Sequence, residues 1–222
     1  MISTLINLIS PKIGSYGVYA NDEFFAPLER MLSETDPIFI PDKYDNHGKW
    51  MDGWETRRRR TPGYDWCLIK LGCPGTIKKI EINTKFFTGN YPPHAEIEGI
   101  YSEKQPDEKD KNWKTILHKT SIKGDAVNNF NAENENIINW VKLKIFPDGG
   151  VARLRLWGNV FVDWDRISKK QILELSALKN GGKIISYNNA HYGDISAILS
   201  HGRGKNMGDG WETRRRREPG ND

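Results

Sequence analysis

The nine residues DGWETRRRR occupy positions 52–60 and return unchanged at 209–217, an offset of 157. The match continues past the arginines, where Thr61-Pro62-Gly63-Tyr64-Asp65 answers to Glu218-Pro219-Gly220-Asn221-Asp222. It also extends upstream. LINLISPKIG at 5–14 resembles ILELSALKNG at 172–181, and GSYGVYANDEFFAPLERML parallels GGKIISYNNAHYGDISAIL at an offset of 167. The first copy therefore holds ten extra residues, which fall in the Pro- and Asp-rich stretch SETDPIFIPDKYDNHG, expected to be a surface loop. A period of about 160 residues is too long for a solenoid and implies two homologous domains.

Between the two phrases the chain reads as strands. DWCLIKLG is a short apolar run, and Ile80, Ile82 and Thr84 alternate in KKIEINTKFF. Ala95, Ile97, Gly99 and Tyr101 alternate in HAEIEGIYS, as do Val141, Leu143 and Ile145 in NWVKLKIF. PDGG at 147–150 predicts a tight hairpin that returns VARLRLWGNV as the neighbouring strand. SEKQPDEKDKNW and much of SIKGDAVNNFNAENEN are too polar for core elements and read as loops. Many short strands in 222 residues, with 21 Gly and 11 Pro to turn between them, give an all-β fold: a β-sandwich of the jelly-roll type. Helical spacing of Ile2, Leu5, Ile6 and Ile9 predicts a short amphipathic helix at the start. The expected division is a first repeat over 1–165, a linker helix over 166–181, and the start of a second repeat over 182–222. That second stretch has an opening strand and the arginine phrase, but no counterpart of the later strands. It is expected to be an incomplete repeat with strands and apolar side chains lacking partners, and so mobile, sticky or resting on the first domain.

Charge is concentrated rather than spread. Each phrase carries four Arg against one Asp and one Glu, a net of +2, so the two copies account for the whole formal charge of +4. A nucleic-acid binder spreads basic charge over a face, and this distribution argues against one. The two cysteines, Cys67 and Cys73, support neither a disulfide framework nor a zinc site, and predict ordinary semi-buried thiols in a reducing, cytoplasmic setting. No apolar run approaches the length of a membrane span.

DGWETRRRR with PGYDW, TKFFTGNYPP and FPDGGVARLRLWG together resemble the allantoicase family, over essentially the whole chain and in a two-repeat order. The resemblance implies galactose-binding-like jelly-roll domains and, in purine breakdown, hydrolysis of allantoate to ureidoglycolate and urea. It allows a homo-oligomer of the full-length enzyme and a peroxisomal address beyond Asp222. Asn83 departs from it, standing where an acidic residue is expected before Thr84.

Allantoate is a small anion, one carboxylate on a carbon bearing two ureido groups. Its site needs a guanidinium fork for the carboxylate, oxygen acceptors for the ureido N–H groups, and an acid–base group for the departing urea nitrogen. The phrase supplies acid and arginine side by side. Glu55, or failing that Asp52, is the expected acid–base group, and Arg57 the carboxylate anchor. An extended phrase would point Glu55, Arg57 and Arg59 one way and Trp54, Thr56, Arg58 and Arg60 the other. The candidates for substrate contact are Arg57, Arg58, Asn90 and His94 in the loop FFTGNYPPH, Asp148 and Arg153 about the PDGG turn, and Glu212 and Arg214 in the second copy. His47 is a weaker candidate. The bland alternative makes the arginines structural ion pairs that cover Trp50 and Trp54. No cluster has metal-ligand spacing, and no cofactor is readable. Two other classes stay open. One is a non-catalytic jelly-roll module binding a small anion or carbohydrate; the other is a nucleic-acid binder, whose affinity would fall steeply with salt.

Overall fold

The computed structural model describes residues 5–200, 202–204 and 206–221. Its strands, in chain order, are β1 (Ile6–Asn7), β2 (Tyr16–Ala20), β3 (Tyr44–Asp45), β4 (Gly48–Lys49), β5 (Trp54–Glu55) and β6 (Asp65–Asn83). They continue as β7 (His94–Ile100), β8 (Lys114–Ser121), β9 (Val127–Asn131), β10 (Ile138–Phe146), β11 (Gly150–Val151) and β12 (Arg153–Val160). A single helical turn, α1 (Leu28–Met31), follows β2.

The architecture turns on β6. DWCLIKLG and KKIEIN, which read as separate strands, form one run of 19 residues that serves two layers. Its first half pairs with β2 and β10, and β10 continues through β7 to β8. Its second half pairs with β12 and β9, and β12 carries β1 on its far side. The run bends about Gly72-Cys73-Pro74-Gly75. A Cβ at Gly72 would stand 2.0 Å from the Ile13 carbonyl oxygen, so only glycine lets the bend close on the chain beside it. In the first half Cys67, Ile69 and Leu71 face inward; in the second Ile80 and Ile82 do. An irregularity in the pairing, where Trp157 opposes Lys79 and Gly158 opposes Ile77, shifts the alternation. The inward side chains of both layers, with Val141, Leu143 and Ile145 of β10 and Leu154 and Leu156 of β12, make one core. The expected all-β, jelly-roll fold is what the chain adopts.

Four expectations need correction. PDGG is not a hairpin: β10 and β12 are not neighbours, and 147–152 arches from one layer to the other, bridging the two ends of β6. VNNFN, taken as loop, is edge strand β9. Its ladder to β6 is held by backbone bonds, and of its side chains Phe130 packs against the core. The expected N-terminal helix is absent where the structure is described. Residues 6–7 pair with β12, Pro11–Ile13 form one 3-10 turn, and Leu8 and Ile9 are fully buried; Ile2 lies outside the described residues. The linker helix over 166–181 is likewise reduced to 3-10 turns at Trp164–Arg166 and Leu178–Asn180.

Residues 182–190 form no strand, although they align with β2. β2 is held by the first half of β6, and the described chain offers 182–190 no such partner. The segment rests on the first sandwich instead. Leu178 joins its core, Leu199 packs against that core, Lys183 donates to Asn159 at 2.7 Å, and Lys12 pairs with Asp209 at 3.3 Å. Cys67 and Cys73 are both unpaired and fully within the core rather than semi-buried, and burial pushes the Cys73 thiol up to about 11. Among the described residues no helix is long and apolar enough to cross a membrane.

Candidate functional site

Both ends of β6 reach the same end of the sandwich, and the arginine phrase lies across that end. β5 pairs with β11 of the arch, Glu55 opposite Gly150 and Trp54 opposite Val151. A bridge to Ala26 holds the other edge of Glu55. Trp54 is fully buried, its indole N–H donating to the Asp22 carbonyl at 2.9 Å. Thr56 exchanges bonds with Gly149: its amide donates to the Gly149 carbonyl, and its hydroxyl accepts from the Gly149 amide, both at 3.1 Å. Gly149 has φ +137°, and a Cβ there would press on the backbone of residues 90–92. The glycine thus lets the arch touch the FFTGNYPPH loop.

After Thr56 the backbone leaves the strand, and the expected alternation ends. Arg57, Arg58 and Arg59 all line one cleft of about 370 Å³ with Asn21, Asp22, Thr61 and Asp65. Arg58, expected on the opposite side, therefore joins the others. Asp22 holds Arg57 twice, accepting from its amide at 3.0 Å and from Nε at 2.6 Å. Arg59 donates from Nη1 to the buried Asp65 at 2.6 Å, and its amide donates to Asp148 at 2.8 Å. Burial pushes the Asp22 carboxyl up, but the bonds from Arg57 and from the Phe24 amide outweigh it and leave it below the ordinary range.

Glu55 does not share that cleft. It is 7% exposed, and its carboxylate accepts from the Asn90 amide at 2.6 Å. Burial pushes its carboxyl above the usual range, with the Asn90 bond opposing. Asn90 in turn accepts the Gly150 amide on its carbonyl at 2.7 Å, so the FFTGNYPPH loop, the phrase and the arch are locked together.

The remaining candidates lie elsewhere. Arg153 is 1% exposed, and its donors go to the carbonyls of Thr35, Arg30, Asp52 and Ala152 and to the Asp52 carboxylate at 2.7 Å. Asp52 also caps the Ile38 amide at 2.9 Å. His94 opens β7 opposite Phe146 and Ser121, and its ring has no hydrogen-bond partner among the described residues. His47 packs its Nδ1 against the Phe24 carbonyl at 2.9 Å. Trp50 is covered by Arg30 and Lys43, not by the phrase. Among the described residues no group of three or more His, Cys, Asp or Glu is placed to hold a metal ion. Sequence reasoning missed Asp22. The signal was present in the aligned copies, where the pair Asn21-Asp22 meets Asn188-Asn189.

In the second copy Arg214, Arg215, Arg216 and Arg217 line a cleft of about 460 Å³ with Asn188, Asn189 and Glu218. A bridge between Tyr192 and Glu212 corresponds to that between Ala26 and Glu55, one position earlier on the upstream side.

The fold is that of a galactose-binding-like jelly roll, with acids and arginines gathered at one end of the sandwich. Solved domains of the same fold include the C-terminal domain of a Bacteroides fragilis chitobiase, at a TM-score of 0.50 and 13% identity over 71% of this chain and 99% of that one. Much nearer relatives exist. The family model for the allantoicase repeat matches residues 6–161 and 173–222. A probable allantoicase of Burkholderia mallei is 50% identical over 98% of this chain and 64% of its own length. A probable allantoicase of Ralstonia nicotianae is 47% identical over 97% and 64%. The solved allantoicase of Saccharomyces cerevisiae superposes with a TM-score of 0.83 at 36% identity, over 97% of this chain and 65% of that one. The chain belongs to the allantoicase family. It spans 64–66% of the length of the curated relatives that it matches most strongly.

Proposed function

We propose that this chain carries an allantoate-hydrolysing site of purine breakdown, formed about the first arginine phrase. The observation that supports it is a buried carboxyl, Glu55, held by Asn90 two residues before Arg57, the first of the cleft's arginines. Glu55 keeps its proton to higher pH than an ordinary glutamate, which suits a general acid. It gives that proton to the urea nitrogen as the C–N bond breaks with its electron pair. Water adds its oxygen to the carbon and returns a proton to the carboxylate. Arg57 is bound through its amide and Nε, so its two terminal nitrogens, without partners among the described residues, are free to fork onto the substrate carboxylate. Arg58 lies beside it in the same cleft.

Asn90 and Asp148 act on neighbours, the first fixing Glu55 and the second fixing the backbone of Arg59. Asp52 and Arg153 are assigned to the framework and His94 to the rim. The two-repeat division, 1–165 and 182–222 about a 166–181 connection, belongs to the same proposal, with Glu212 and Arg214 as the second copy's polar groups. The test is urea release from allantoate by the 222-residue chain. Release that disappears in Glu55→Gln supports the reading. A folded chain that neither binds allantoate nor releases urea refutes it and favours the non-catalytic module.

A further inference from the structure

A hollow of about 430 Å³ lies between two loops and shares no lining residue with the arginine cleft. Its size falls within the range of small-molecule sites, about 300–1,000 Å³. One wall is Phe39, Lys49 and Met51, from the stretch that is ten residues longer in the first copy than in the second. The other is Lys85, Phe86 and Thr88 of the loop after β6. Asn90, whose Nδ2 holds Glu55, adds to the lining with Asp125.

The rings of Phe39 and Phe86 stack from the two walls, with centroids 6.0 Å apart and 30° between their planes. Phe39 is 41% exposed. Phe86 has φ +69°, a region that a bulky side chain rarely enters. Asp125, itself at φ +47°, imposes it: its carboxylate accepts the Phe86 amide at 2.9 Å, and its own amide donates to the Phe87 carbonyl at 3.1 Å. Phe87 turns inward, fully buried against Gly150, while the strained residue beside it gives its ring to the hollow. Each ring carries an ammonium, Lys49 at 5.2 Å from the Phe39 centroid and Lys85 at 5.6 Å from that of Phe86. Asp125 answers Lys85 at 3.3 Å. Among the described residues the Lys49 ammonium meets its ring and no carboxylate.

We propose that this hollow is a separate binding site for a small planar carboxylate with an aromatic body. The body lies against the phenyl rings and the Met51 thioether, which favour a flat apolar surface. The carboxylate pairs with the Lys49 ammonium and takes the Thr88 hydroxyl as a second donor. A ligand without the ring leaves the apolar part of the lining unmatched, and one without the charge leaves Lys49 unanswered. Asn90 stands between the hollow and Glu55, so an occupant is one side chain away from the acid proposed for the first phrase. The inference does not rest on the reaction assigned to that acid, because binding is read without turnover.

The test is titration of the 222-residue chain with benzoate, followed by calorimetry and by the amide resonances of Thr88 and Asn90. Acetate, which has the charge without the ring, and benzamide, which has the ring without the charge, run in parallel. Benzoate should bind in the millimolar range or tighter, and each of the others at least about tenfold more weakly. Lys49→Gln should weaken benzoate by at least about tenfold, the scale of a charged hydrogen bond. Phe39→Ala should weaken it about three- to tenfold, the scale of an aromatic pair. Both positions are exposed, so the fold is kept, and unchanged circular dichroism checks this. Arg57→Ala, in the other cleft, should leave benzoate binding as it is. A folded chain that does not bind benzoate overturns the proposal, as does acetate or benzamide binding equally well. So does wild-type affinity in Lys49→Gln or Phe39→Ala, or loss of benzoate in Arg57→Ala.

Discussion

Arg153→Met separates framework from site most sharply. The guanidinium is 1% exposed and ties β12 to Arg30 in α1, to Thr35 after it and to Asp52 at the head of the phrase, besides bonding the carbonyl of its own neighbour Ala152. Removing it leaves the Asp52 carboxylate with the Ile38 amide but no cation, and strips donors from buried carbonyls. Breaking a buried ion pair from one side costs about 3–5 kcal/mol. The Asp52 side chain is 11% exposed, so water offsets part of that, and the lower half, about 3–4 kcal/mol, is expected. At this chain length a kilocalorie moves the midpoint by about 2–4 °C, giving a fall of about 6–16 °C. Arg153→Lys keeps a positive charge, but a single ammonium cannot reach acceptors on all four residues, so it should recover only part of the loss. Urea denaturation followed by circular dichroism measures the stability, and urea release per folded molecule measures the chemistry. A stability loss below about 1 kcal/mol, with turnover of the folded fraction down more than tenfold, would make Arg153 a substrate ligand and refute this reasoning.

Three further outcomes are expected. Glu55→Gln should lower urea release by about 10²–10⁴-fold. Because burial raises the folded-state carboxyl above its ordinary 4.5, the contribution of Glu55 to stability is fully present below that value and is lost as pH rises through the folded one; the stability of Glu55→Gln relative to wild type should therefore grow with pH across that window, and a constant difference would contradict it. Arg57→Ala should reduce kcat/KM for allantoate about ten- to hundredfold while the unfolding midpoint shifts little, since Arg57 is exposed; wild-type kinetics would remove it from the site. Trypsin should cut first at Lys169 or Lys170, in the exposed connection before Leu178, and leave the sandwich intact; early cleavage within β6 would show the layers wrongly assigned.

The sandwich was legible because alternation is a local signal. Ile97 and Leu143 could be placed on an inner face from their neighbours alone, and both are fully buried. What was hidden depended on distant partners. PDGG has hairpin chemistry, yet the hydrogen bonds that decide its role belong to β6, whose two halves claim β10 and β12 separately. VNNFN looked like loop because an edge strand can be held by its backbone. The N-terminal run had helical spacing, but Leu8 and Ile9 are both buried, against opposite expectations for an exposed amphipathic turn. At the site, Glu55 and Arg57 are legible from charge and position. Asp22, which fixes Arg57 from 35 residues away, carries no local mark of that role.

The repeated phrase shows how far a motif reaches. Nine identical residues reproduce the bridge, the indole bond and the capped arginine amide in both copies. These bonds join the phrase to the segment after β2 in the first copy and to its aligned counterpart in the second. Burial is not reproduced. Trp54 is fully buried where β11 lies alongside β5, whereas Trp211 is 40% exposed and no described strand pairs with its segment as β11 does. Glu55 owes its raised carboxyl to that burial, so an identical glutamate at 212, exposed, stands in a different chemical setting. The motif therefore fixes where acid and arginines point. Residues outside the phrase set its surroundings: in the first copy Asn90 and the arch enclose the acid and Asp22 pairs with the Arg57 guanidinium, whereas in the second Asn189 caps the Arg214 amide beside an exposed acid.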